Sequence, residues 1–128
     1  VTVLLDNHIS MPPYLIMPWF LLKMELNDVQ RLVYVLLLNR LRLSMRNPRF
    51  QDELGRPFVL YSISSLARDA KKSPTTIKGI LKKLESLELI VRQHRGPGLP
   101  NRIYVKVKPA PQPPLGGPAY AAEPWETL

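Results

Sequence analysis

The stretch from Ser62 to Val107 constrains the fold most, because it holds two short helical patterns separated by only four polar residues. Ser62-Ile63-Ser64-Ser65-Leu66-Ala67-Arg68-Asp69-Ala70 opens on serine caps and sets Leu66, Ala67 and Ala70 at helical spacing. Lys71-Lys72-Ser73-Pro74 interrupts it. Ser73 is a second cap, and Pro74 takes the first helical position, where its missing N–H is no loss. From there Ile77, Ile80, Leu81, Leu84 and Leu87 form one apolar stripe. Short helices joined by a tight polar turn make a helix-turn-helix. Leu89-Ile90-Val91 then begins a strand, residues 93–100 form a basic loop with Gly96, Pro97, Gly98 and Pro100, and Arg102–Val107 alternates as a returning strand. A strand, basic loop and strand after a helix-turn-helix form a wing. The expected class is mainly α with a small antiparallel β-sheet (α+β), a winged helix-turn-helix.

A longer helix is predicted before this unit, starting after Leu26. Asn27 with Gln30 fits a capping box, and Asp28 suits the positive end of the helix dipole. Val29, Leu32, Val33, Leu36, Leu37 and Leu41 follow helical spacing, while Tyr34, Val35 and Leu38 make the helix apolar nearly all round. Such a helix is either central to the core or turned toward a partner subunit. Asn47-Pro48 marks its end. Residues 50–61 read as a β-hairpin around an acidic, glycine-containing turn. Residues 1–13 read as an N-terminal arm, residues 14–108 as the winged-helix domain, and residues 109–128, with six prolines, as an extended linker or disordered tail leading toward something further.

Charge supplies the first functional clue. The chain carries a net +8, unevenly spread. Residues 66–108 hold eleven Lys/Arg against Asp69, Glu85 and Glu88, for +8; residues 1–65 carry +2 and residues 109–128 carry −2. An excess concentrated in one third of a chain is expected of a nucleic-acid footprint. A solvated cationic face without a partner is the plainer alternative.

At about 100° per residue, the side of the second short helix opposite Ile77 carries Thr75, Gly79, Lys82 and Ser86, with Lys78 and Lys83 on the shoulders. Small hydroxyls and lysines suit a major groove, where threonine bonds base edges or meets a thymine methyl and lysine reaches phosphates or guanine. Gly79 lowers helix stability by about 1 kcal/mol relative to alanine, which close approach of the backbone to DNA would explain as well as simple tolerance would. Lys71, Lys72 and Ser73 in the turn are expected to bind DNA as well, and the N–H groups of Thr75 and Thr76 at the helix start offer a phosphate site. Arg92, His94, Arg95 and Arg102 in the wing are expected to lie along the adjacent backbone or in a minor groove. Tyr104 reads as a packing or sheet-edge residue.

Catalysis finds no support. The sequence holds no cysteine and two histidines, His8 and His94, and no phosphate-loop, zincin, nucleophile-elbow or dinucleotide motif. Asp52 and Glu53, adjacent on a strand, would face opposite ways and serve a turn rather than acid–base chemistry. No cofactor, metal or catalytic residue is expected. The apolar runs Leu15–Leu22 and Leu32–Leu38 are too short to span a membrane, and a cytoplasmic protein is expected.

A more specific resemblance lies in the order of several segments. Tyr14-Leu15-Ile16-Met17-Pro18, the helix end from Val33 through Asn39-Arg40-Leu41-Arg42-Leu43-Ser44, and Asn47 to Asp52-Glu53-Leu54-Gly55-Arg56 are followed by Tyr61-Ser62-Ile63, by Ser73 through Lys83-Leu84-Glu85 with Leu89-Ile90, and by Gly98-Leu99-Pro100-Asn101-Arg102-Ile103-Tyr104-Val105. Over about residues 14–107 this resembles the plasmid replication initiator protein A family. The resemblance implies an N-terminal winged-helix domain that binds origin repeats on double-stranded DNA, often as a homodimer, with host replication proteins recruited through a separate C-terminal domain. The wing departs from the family's shorter turn at His94-Arg95-Gly96-Pro97, so sequence preference does not carry over. The alternatives are a winged-helix transcriptional regulator and a protein-interaction module without DNA specificity.

Overall fold

The computed structural model describes residues 1–109, so the proline-rich segment read over 109–128 lies, except for Pro109, outside the described residues. Helix α1 spans Asp28–Ser44 and starts with the expected capping box: the Asn27 side chain accepts from the Gln30 N–H at 2.8 Å, and the Gln30 side chain accepts from the Asn27 N–H at 3.0 Å. Helix α2 spans Ile63–Ala70, α3 spans Pro74–Ser86, β1 spans Ile90–Gln93 and β2 spans Arg102–Val105. The strands pair antiparallel with Ile90 opposite Val105 and Gln93 opposite Arg102. The protein is an α+β winged helix.

α1 is the central element, packing against α2, α3 and β2. Its residues Val33, Tyr34, Val35, Leu37, Leu38 and Leu41 are buried, which accounts for an apolar surface on nearly every side without a second subunit. The Tyr34 ring is fully buried and its hydroxyl donates to the Lys106 carbonyl at 2.8 Å, tying α1 to the chain just past β2. Burial pushes that phenol up to about 12. The stripe of α3 (Ile77, Ile80, Leu81, Leu84) is buried in the same core with Leu66, Ala67 and Ala70 of α2.

Two polar anchors organise the N-terminal segment. Asn39, buried in α1, accepts from the Ile16 N–H at 2.9 Å and donates to the Ile16 and Val35 carbonyls at 2.8 Å each. Arg31 donates to the carbonyls of Leu21 and Met24 at 3.1 Å each, holding a 3-10 turn at Trp19–Lys23. Residues 1–13 are exposed throughout.

The expected hairpin over 50–61 is replaced by something shorter. One bridge, Gln51 to Pro57, closes a turn, and the chain then crosses to pair Val59 with Ile103 of β2. The ladder stops at that bridge because the Phe50 N–H turns back to the Asn47 carbonyl at 3.0 Å, and the Asp52 carboxylate takes the N–H groups of Leu54 and Arg56 at 2.9 Å each. Val59 thereby adds a third, one-residue rung to the wing sheet.

Candidate nucleic-acid interface

Both helices of the reading unit end in the same way. Lys71 sits in the left-handed region (φ 56°), its N–H donating to the Arg68 carbonyl while the Lys72 N–H donates to that of Ala67. Glu88 repeats this after α3 at φ 59°, with its N–H on Glu85 and the Leu89 N–H on Leu84. These are Schellman caps with charged residues where glycine is usual. The first sets the sharp turn into α3; the second turns the chain into β1.

Ser73 caps α3, accepting from the Thr76 N–H at 3.2 Å, and its hydroxyl also meets that of Thr76 at 2.9 Å. The Thr76 hydroxyl is therefore engaged within the turn, whereas that of Thr75 has no partner among the described residues. Thr75, Lys78, Gly79, Lys82 and Lys83 are exposed on α3, and Lys71 and Lys72 are exposed in the turn before it. Among the described residues none of these lysines joins a salt bridge. A Cβ built on Gly79 would meet nothing within 4 Å, so nothing inside the fold requires glycine there.

The four basic wing residues divide into two pairs. His94 and Arg95 are exposed in the loop, where Gly96 (φ 104°) and Gly98 (φ 77°) take conformations that favour glycine. Arg92 and Arg102 are half-buried, on opposite faces of the wing sheet, and each is engaged within the fold. Arg92, its side chain 14% exposed, donates from Nε at 2.7 Å and Nη2 at 2.5 Å to Glu85 Oε1, joining β1 to the last turn of α3. The Arg102 guanidinium lies 4.4 Å from the Phe58 ring centre, with its Nε buried and without a hydrogen-bond partner. The alternation of the strands placed both arginines in the wing correctly but gave no sign that Glu85 and Phe58 would engage them.

Sequence reasoning also missed two polar connections. The Tyr104 hydroxyl donates to Asp52 at 3.0 Å across 52 positions of chain. Tyr61, whose ring lies 3.7 Å from the Arg40 guanidinium carbon, donates its hydroxyl to Asp69. Burial, and then this bond, push the Tyr61 phenol up to about 12; the same bond, with Arg68 and Arg40 nearby, holds the Asp69 carboxyl below its ordinary value. Neither pairing has a local sequence signal.

Comparison with known proteins decides the family. The sequence profile of the replication initiator protein A (RepA) N-terminus matches residues 9–111. The chain belongs to this family. No curated protein matches it. Among solved structures, this chain is similar to an N-terminal domain of a DNA-binding protein (22% identity, TM-score 0.67, covering 84% of this chain and 88% of that one). It is also similar to a Rep–DNA complex (25%, 0.65, 77% and 78%) and to an MDR initiator (27%, 0.54, 67% and 65%). Among the described residues, no helix is long and apolar enough to cross a membrane and no group of three or more His, Cys, Asp or Glu could hold a metal ion.

Proposed function

We propose that the domain binds double-stranded DNA sequence-specifically at repeats of a plasmid or related replication origin, with α3 in the major groove and the wing loop on the adjacent backbone or minor groove. The observation that carries this is the outer face of α3, where the Thr75 hydroxyl, a bare Gly79 and Lys78, Lys82 and Lys83 are exposed together, the hydroxyl and the lysines without partners among the described residues. Lys71 and Lys72 extend the same positive surface into the turn, and Ser73 and Thr76 shape the helix start by capping it. His94 and Arg95 are the wing loop's exposed donors, while Arg92, bound to Glu85, and Arg102, on the Phe58 ring, support the base of the wing. The family, and a similar structure described as a Rep–DNA complex, support the reading. The role requires no catalytic group; it ends in placing an initiator on its origin.

The same reading has the protein act as a homodimer and recruit host replication proteins through a further C-terminal domain. Since Val33, Tyr34, Val35, Leu37, Leu38 and Leu41 of α1 are buried within one chain, a dimer would use other residues. Light scattering at working concentration should then show a species larger than one chain, and a strictly monomeric protein on and off DNA would contradict this part.

Competition binding with an origin fragment containing repeats against random duplex of equal length tests the main claim. A clear preference for the repeats is expected, and equal affinity would contradict sequence-specific origin binding. Protection of a promoter instead of the repeats would favour a transcriptional regulator. Lys82→Ala should weaken binding by about 1–3 kcal/mol if the lysine meets a base, and an unchanged Kd would remove it from the interface.

A further inference from the structure

The direction of the wing loop is set by its base, and that base is held from several sides. Glu85 fixes β1 through Arg92. Val59 exchanges two backbone hydrogen bonds with Ile103 of β2, at 2.8 and 3.0 Å. The third support is a carboxylate. The Asp52 side chain, 2% exposed, accepts from the Leu54 N–H, the Arg56 N–H, Arg56 Nε (2.8 Å) and the Tyr104 hydroxyl.

The first three bonds close Asp52's own turn; the fourth leaves it for the face of β2. Tyr104 also packs edge-to-face on Phe58 (centroids 6.2 Å), which packs on Phe50 (6.3 Å) and carries the Arg102 guanidinium. Arg102 and Gln93 are the last paired residues before the loop that holds His94 and Arg95. A buried charge is tolerated only when its partners are complete, so the Asp52–Tyr104 bond gives a defined rather than a sliding contact between turn and wing.

We infer that Asp52 is a positioning residue for DNA binding, one that acts through Tyr104 to aim the wing so that Arg95 meets a phosphate. The inference rests on the DNA-binding reading above and adds residues outside the exposed basic surface.

The test uses the full chain with Asp52→Asn, Tyr104→Phe and Arg95→Ala, singly and with each of the first two combined with the third. Affinity for an origin-repeat duplex is measured across a salt series, and thermal melts verify that each variant is folded at the assay temperature. Arg95→Ala should lower the magnitude of the slope of log K against log salt by about 0.9 and weaken binding about fivefold near 0.15 M salt, the effect of one lost phosphate contact. Asp52→Asn and Tyr104→Phe should move the slope the same way, and adding Arg95→Ala to either should cost little more. A merely structural role would lower Tm while leaving the slope unchanged and the losses additive. Folded variants that keep the wild-type slope, or whose losses add to that of Arg95→Ala, would overturn the inference while leaving the DNA-binding reading intact. Should Asp52→Asn fail to fold, Tyr104→Phe decides alone, since it leaves the three bonds inside the turn untouched. Wild-type protein that binds no duplex would overturn the underlying reading and the inference with it.

Discussion

Lys71 combines a strained backbone with an exposed charge beside the start of α3. A non-glycine residue in the left-handed region is less stable there by about 1 kcal/mol. Lys71→Gly should therefore raise Tm, by about 4–8 °C for a domain of this size, while weakening DNA binding through the lost cation. Paired melting and binding measurements check both signs, and a variant stabilised without loss of affinity would take Lys71 out of the interface. Asp52 contributes to the acid limb of stability. Burial pushes its carboxyl up, but bonds from the Arg56 backbone and side chain, Tyr104 and Leu54 outweigh this and hold it at about 2. Because the folded value lies below the unfolded one, the stabilisation is present above pH 4 and is lost as pH falls from about 4 toward 2. Denaturant titrations over that range should show Asp52→Asn with a flatter decline than wild type. Asp52 was legible as a turn former, because an Asx turn is local. Its link to Tyr104 was not, because register between distant segments leaves no mark near either residue.

Among the elements, α3 shows most clearly how far a sequence pattern reaches. Its cap, first proline, apolar stripe and solvent face were all readable, because each depends on residues three or four positions apart. The one ambiguity was Gly79, and open space around it removes internal packing as the reason for glycine. Gly79→Ala should stabilise the free domain by about 1 kcal/mol in denaturant titrations yet weaken binding to the origin duplex. Stabilisation with full affinity would mean that the backbone of α3 does not approach DNA closely at this point. The 3-10 turn at Trp19–Lys23 escaped the sequence reading because Arg31, not a local periodicity, holds it in place. The hairpin failed for a related reason: the Phe50 N–H bonds the Asn47 carbonyl and the Asp52 carboxylate takes the Arg56 N–H, so the ladder ends after one bridge, and Val59 finds its partner in β2.

At the scale of the whole molecule, the charge excess in residues 66–108 is now distributed among specific surfaces. Arg68 is paired with Asp69, and Arg92 and Arg102 lie within the wing's supports. This leaves Lys71, Lys72, Lys78, Lys82, Lys83 and Arg95 exposed on α3, its turn and the wing loop, and Lys106 and Lys108 exposed after β2, all without salt-bridge partners among the described residues. The composition alone could not separate these groups, since a committed arginine and a free one count equally. Neutralising about six phosphates predicts a definite counterion release. The decisive measurement is the equilibrium affinity for an origin-repeat duplex over a range of salt concentrations. A linear fall of log K with log salt, with a slope near −5, is the expected result. Binding that ignores salt, or no binding to the duplex at low salt, would contradict a DNA-reading winged helix.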